Sequence, residues 1–117
     1  MRAGARTPEE LETLFEDAFL LRDREALIHL FEDGAVLVAC DRMHEARGGE
    51  EISRSAAAMW ERDCTYLAEP RRVLQARDTA LVLAERGINV VRRGSDGSWR
   101  YAISLLDMDE ASERTQR

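Results

Sequence analysis

From Val90 to Asp107 two apolar, β-prone runs are joined by the polar tip Gly94-Ser95-Asp96-Gly97. Asp-Gly between two β-prone runs signals a hairpin, because glycine takes a positive φ without a Cβ clash. Beyond the tip the period is strictly two. It sets Trp99, Tyr101, Ile103 and Leu105 on one face and Arg100, Ala102, Ser104 and Leu106 on the other. The pattern predicts the central ribbon of a curved sheet, with Tyr101 and Ser104 on opposite faces and only one of them looking inward.

Earlier in the chain the period is that of a helix. Thr7-Pro8-Glu9-Glu10 carries a cap, a proline suited to the first helical position and a capping-box acid. Leu11, Leu14, Phe15, Ala18 and Phe19 follow as one apolar stripe, predicting a helix over 8–22. Asp23 caps a second, shorter helix reaching Phe31, with Leu27, Leu30 and Phe31 on its buried side and Asp33-Gly34 as its stop. Residues 35–40 form a β-prone run expected to be buried on both faces, and 41–46 carry room for a second short strand. Gly48-Gly49 interrupts the chain before a third helix, whose acids Glu50 and Glu51 suit its positive end and whose inward stripe is Ile52, Ala56, Met59 and Trp60. The period then returns to two over 65–76, interrupted by Glu69-Pro70, which demands an edge or a bulge. A turn at Arg77-Asp78 leads to the strand 79–84, after which Gly87 either bulges that strand or closes a short hairpin.

The order helix, helix, strand, helix, then three or four antiparallel strands is α+β, with the helices on one face of a strongly curved sheet. One domain over 7–108 with loose tails at 1–6 and 109–117 accounts for the 117 residues. The composition is that of a soluble globular chain, and no apolar run is long enough to span a bilayer. The formal net charge of −6 argues against a nucleic-acid partner. All 17 basic residues are arginine, a composition expected of a GC-rich bacterium. Cys40 and Cys64 lack metal-type spacing and read as reduced thiols in a cytoplasmic protein. No secretory signal opens the sequence.

Four segments resemble the superfamily of nuclear transport factor 2, ketosteroid isomerase and the SnoaL-like cyclases. They are Phe31-Glu32-Asp33-Gly34-Ala35-Val36-Leu37-Val38, Arg47-Gly48-Gly49-Glu50-Glu51-Ile52, the corner from Val73 to Val82 around Asp78-Thr79-Ala80, and Asp96-Gly97-Ser98-Trp99-Arg100. The resemblance spans about residues 8–107. It implies a cone, a bent antiparallel sheet wrapped around three helices as in a cystatin-like α+β barrel, with a pocket at the open end. It also implies homodimers paired through the outer sheet face.

In the isomerase-like members an Asp on or just after the first strand is the general base. That position falls here on Ala39, which cannot move a proton, so Asp41, two residues on, is the surviving candidate base, with His44 or Tyr101 as the group polarising a substrate oxygen. Cys40, Asp41, His44 and Glu45 match no zinc pattern, and neither metal nor cofactor is expected. His29 reads as helix surface. Phe15, Phe19, Trp60, Asp63, Tyr101 and Ser104 are the expected pocket residues. Ser104 stands where many pocket-bearing relatives carry Asp. Three functions remain open: a binder of a small apolar or cyclic molecule, a proton-transfer isomerase, dehydratase or cyclase acting through Asp41, and an association module with a vestigial pocket.

Overall fold

A computed structural model describes residues 4–39, 44–66 and 68–107. The elements in chain order are α1 (Pro8–Leu20), α2 (Arg24–Ile28), β1 (Phe31–Ala39), β2 (His44–Arg47), α3 (Gly48–Glu61), β3 (Pro70–Ala76), β4 (Thr79–Ala84), β5 (Gly87–Arg93) and β6 (Trp99–Leu106). The strands make one sheet in the order β2-β1-β6-β5-β4-β3. Neighbours are antiparallel except β1 and β6, which run parallel. The three helices cover one face, giving the expected α+β cone.

The first two helix starts are where the caps put them, whereas α3 begins at Gly48, two residues before the expected start at Glu50 and without a side-chain cap. The Thr7 hydroxyl accepts the Glu10 N–H at 3.0 Å, and the Asp23 carboxylate accepts the Ala26 N–H at 3.1 Å. Glu10 reaches one residue further back than a capping box requires and accepts the Arg6 N–H at 2.7 Å. The chain is anchored two residues before the expected domain start. Ala5 is fully buried, and its carbonyl accepts the Trp99 N–H at 2.9 Å.

The second helix stops at Ile28 rather than Phe31, because the Leu30 carbonyl accepts the Tyr101 N–H at 2.8 Å and hands the chain to β6. Phe31 therefore opens β1. Asp33-Gly34 is not a helix stop but an irregularity inside that strand. Between Phe31 and Val36 the β1–β6 register slips, and Gly34 takes φ 75°. Nor is β1 buried on both faces: Ala35, Leu37 and Ala39 point inward, while Val36 and Val38 are half-buried. β3 starts at Pro70 on the sheet edge, where a missing N–H costs no ladder bond, so 65–69 lie outside the strand. Gly87 closes a hairpin, since Ala84 and Gly87 are partners across Glu85 and Arg86.

The largest departure from strict alternation is in β6. Val91 pairs with Tyr101, whereas the adjacent Val90 pairs with Ile103. Ala102 is thus the extra residue of a β-bulge, which shifts the side-chain phase by one. Trp99 and Tyr101 face inward before the bulge, and Ser104 and Leu106 face inward after it, each 1% exposed. Tyr101 and Ser104 consequently share the inner face, contrary to the expectation of opposite faces. Ile103 and Leu105 turn outward at 45% and 37% exposure.

Deleting Ala102 would remove the extra residue and leave Trp99, Tyr101, Ser104 and Leu106 in strict alternation on the inner face. This variant is expected to keep a cooperative thermal transition at a lowered midpoint. Deleting Ala102 and Ile103 together would turn Ser104 and Leu106 outward, with about 2–5 kcal/mol at stake for a large buried side chain, and is expected to abolish the transition. Loss of the transition in the single deletion with retention in the double would contradict this account of β6.

Candidate functional site

α1 lies across the inner face of the sheet with Leu11, Phe15, Ala18 and Phe19 buried beneath it. Glu12 occupies the same buried face and is 1% exposed. Its Oε2 accepts the Tyr101 hydroxyl at 2.7 Å and the Asn89 Nδ2 at 3.1 Å, and its Oε1 accepts the Tyr66 hydroxyl at 3.3 Å. Asn89 in turn accepts the Ser104 hydroxyl at 2.5 Å. The bulge makes this possible. Asn89, between apolar neighbours on β5, faces Ser104 across the ladder, and Tyr101 stands on the same side one bulged step away.

Aromatic rings enclose the cluster. Phe15 is at the centre, edge-on to Tyr66 at 5.1 Å, Tyr101 at 5.5 Å and Phe31 at 6.2 Å, and stacked on Phe19 at 5.9 Å. Phe19 meets Trp60 at 5.5 Å, and the Trp60 Nε1 has no hydrogen-bond partner among the described residues. Edge-to-face pairs of this kind add to what burial alone contributes and hold the rings in place.

No guanidinium bonds to Glu12 among the described residues. Burial therefore dominates and pushes its carboxyl above the ordinary 4.5, partly offset by the hydrogen bonds from Tyr101, Tyr66 and Asn89; the nearby Glu16 charge adds to the rise. Burial, and then the Glu12 charge, drive the Tyr101 and Tyr66 phenols upward, so both are held as donors. The result is a carboxyl that can give or take a proton, flanked by two fixed O–H groups. That is a constellation able to hold or polarise an oxygen.

Of the residues expected from the sequence, Phe15, Phe19, Trp60, Tyr101 and Ser104 come together in this interior. Asp63 does not. It sits in the turn after α3 at φ 56°, its side chain is 74% exposed, and it pairs with Arg22 at 3.2 Å. His44 opens β2 opposite Ala39. Asp41 and the His44 side chain lie outside the described residues. Glu12, Tyr66 and Asn89 were missed. The signal for Glu12 was present, since it falls three and seven residues before Phe15 and Phe19, on the stripe that α1 buries.

No family model and no curated protein matches the chain. Solved structures do. A ketosteroid isomerase-like protein from Erwinia carotovora atroseptica is 21% identical, with 86% of this chain and 92% of that chain covered and a TM-score of 0.73. An NTF2-like protein with a cystatin-like fold from Novosphingobium aromaticivorans is 19% identical, with 92% and 84% covered and a TM-score of 0.67. A putative calcium/calmodulin-dependent protein kinase type II association domain from Thiobacillus denitrificans is 16% identical, with 93% and 100% covered and a TM-score of 0.75. The fold is the NTF2-like, cystatin-like one. The four quoted segments are thus matched by the architecture they implied, and at this level of identity the likeness concerns the fold.

The raised Glu12 pKa has a pH signature. The folded state binds this proton more tightly than the unfolded chain, so its contribution to stability is complete below 4.5 and is lost as pH rises through the folded-state pKa. Chemical denaturation of Glu12→Gln is expected to show that loss abolished, the variant matching the parent in acid and exceeding it at pH 8. Glu12→Leu leaves three buried donors unmatched and is expected to cost about 1–3 kcal/mol or more at any pH. Parallel pH profiles for parent and Glu12→Gln would refute the assignment.

Proposed function

We propose that the protein binds a small apolar or cyclic molecule inside the cone, with the Glu12 carboxyl and the Tyr66 and Tyr101 hydroxyls holding an oxygen of that molecule. The observation that carries this reading is the burial of an acid at 1% exposure without a cationic partner among the described residues. A charge buried in this way costs stability at neutral pH that a neutral amide at the same place would not; folds retain such costs where they serve a site. The aromatic wall supplies the apolar contact that a ring system needs, and the polar groups that fix orientation are few. Tyr66 is the member nearest the end of the sheet where β1 and β6 finish and β5 begins. A Cβ added at Gly87 would lie 3.6 Å from its hydroxyl. Among the described residues no helix is long and apolar enough to cross a membrane.

The test is mass spectrometry of an organic extract from protein taken straight from cells. One small molecule bearing a carbonyl or hydroxyl group is expected per protomer, and it is expected to be lost from Glu12→Leu. Recovery of the same molecule from both forms, or of none from the parent, would overturn the reading.

A second property has its own support: pairing of two copies through the outer sheet face. The cross-strand register lines up Leu74, Leu81, Val90, Ile103 and Val36 in one row and Leu83, Ile88, Leu105 and Val38 in the next. Leu74, Ile88 and Ile103 are 45–48% exposed. An apolar face spanning five strands is of the kind that a partner covers. The likeness to an association domain points the same way. Sedimentation equilibrium is expected to give twice 13.3 kDa, and Ile103→Glu is expected to return the single mass with an unchanged circular dichroism spectrum. A parent of single mass at micromolar concentration would contradict the pairing.

A further inference from the structure

A groove of about 580 Å³ lies on the helical side of the molecule; it shares Phe31 with the aromatic wall but none of the hydrogen-bonded residues around Glu12. Leu14, Ala18 and Leu21 of α1, Ala26 and Ile28 of α2, and Leu30 form its apolar floor. Leu21 stands 73% exposed at its mouth. Asp17, Asp23, Glu32, Asp33 and Asp96 surround that floor together with His29, Ser98 and one guanidinium, Arg100. Arg100 donates to both Asp96 carboxylate oxygens at 3.3 and 3.0 Å, with Glu32 and Asp33 in its electrostatic reach. Glu32 is likewise held by Arg92 at 3.0 and 2.8 Å, and Asp23 caps α2. Asp17 and Asp33 pair with no basic side chain among the described residues.

We infer that this groove binds a small organic cation, an amine or guanidine carried on an apolar body of one or two rings. The volume is that of a small-molecule site rather than of a folded partner. Five carboxylates against one guanidinium, itself engaged by Asp96, repel an anion despite the presence of His29 and Ser98 in the lining. A low-dielectric floor under carboxylates of one sign concentrates negative potential at the mouth. A ligand that is apolar at one end and cationic at the other matches both features. A bare metal ion matches neither, and the described residues contain no cluster of three metal-ligating side chains.

The experiment uses the full chain and three probes of one shape: phenethylamine, 2-phenylethanol and phenylacetate. Amide shifts in a ¹H–¹⁵N spectrum are expected with the amine at Leu14, Asp17, Ala18, Leu21, Ile28 and Asp33, and not at Asn89, Tyr101 or Ser104. The alcohol is expected to bind at least about tenfold more weakly and phenylacetate not measurably. The double variant Asp17→Asn, Asp33→Asn alters two exposed side chains and is expected to fold. It is expected to bring amine and alcohol to the same affinity. Equal binding of amine and alcohol by the parent, no amine binding at millimolar concentration, or shifts confined to the interior would each overturn the inference. So would saturation of the groove by an arginine-rich amphipathic peptide without competition from the amine, which would assign it to a protein partner. Because groove and interior are read from different amides, failure here leaves the Glu12 reading untouched, and the reverse holds.

Discussion

One extra residue in the last strand governs the inside of this molecule. Were β6 to alternate without interruption, the strand that carries Trp99 and Tyr101 inward would carry Ser104 and Leu106 outward. The bulge at Ala102 turns the second half of the strand over, so that both halves face α1. A bulge also increases local twist and bends its strand. α1 packs on β6, so one backbone irregularity decides which side chains meet that helix.

The consequences run outward from there. Because Tyr101 and the Asn89–Ser104 pair converge, a carboxyl on α1 can be buried with every nearby donor satisfied. Because the phase is reversed, Ile103 and Leu105 leave the core and join the apolar rows of the outer face. The buried polar cluster and the apolar rows of the outer face are two sides of one change of phase. Without the bulge Ser104 would turn away from Asn89 and Leu106 would leave the core, while Ile103 and Leu105 would turn inward. The charged rim is of a different nature. Arg71 with Glu85, Arg92 with Glu32, and Arg93 with Asp78 tie exposed strand and loop positions together. Exposed pairs of this kind add little stability and serve mainly to keep the edges polar.

Much of this was legible in the chain. The first two helix starts were, because Thr7 and Asp23 cap by chemistry that acts within three residues. Pro70 narrowed the start of β3 to an edge or a bulge, and the strand lies at the edge with a register slip at Pro70; the cone followed from four short segments taken together. What escaped the sequence reading depended on contacts distant in the chain. Phe31 has the same buried face in a helix as in a strand, and only the capture of the Leu30 carbonyl by Tyr101 decides between them. Nothing in Tyr101-Ala102-Ile103 marks a bulge, since strict alternation there is equally good local sequence. Glu12 was hidden by the habit of reading an acid on an amphipathic helix as solvated. Its partners lie 54, 77 and 89 residues away.

The most direct measurement is the titration of the Glu12 side-chain carboxyl carbon by ¹³C NMR, assigned by comparison with Glu12→Gln. The account requires a midpoint displaced upward from 4.5, because the hydrogen bonds that surround this group offset only part of the cost of burying its charge. A midpoint at or below 4.5 would mean that the carboxyl meets water or a cation in solution, and the enclosed site described here would not exist.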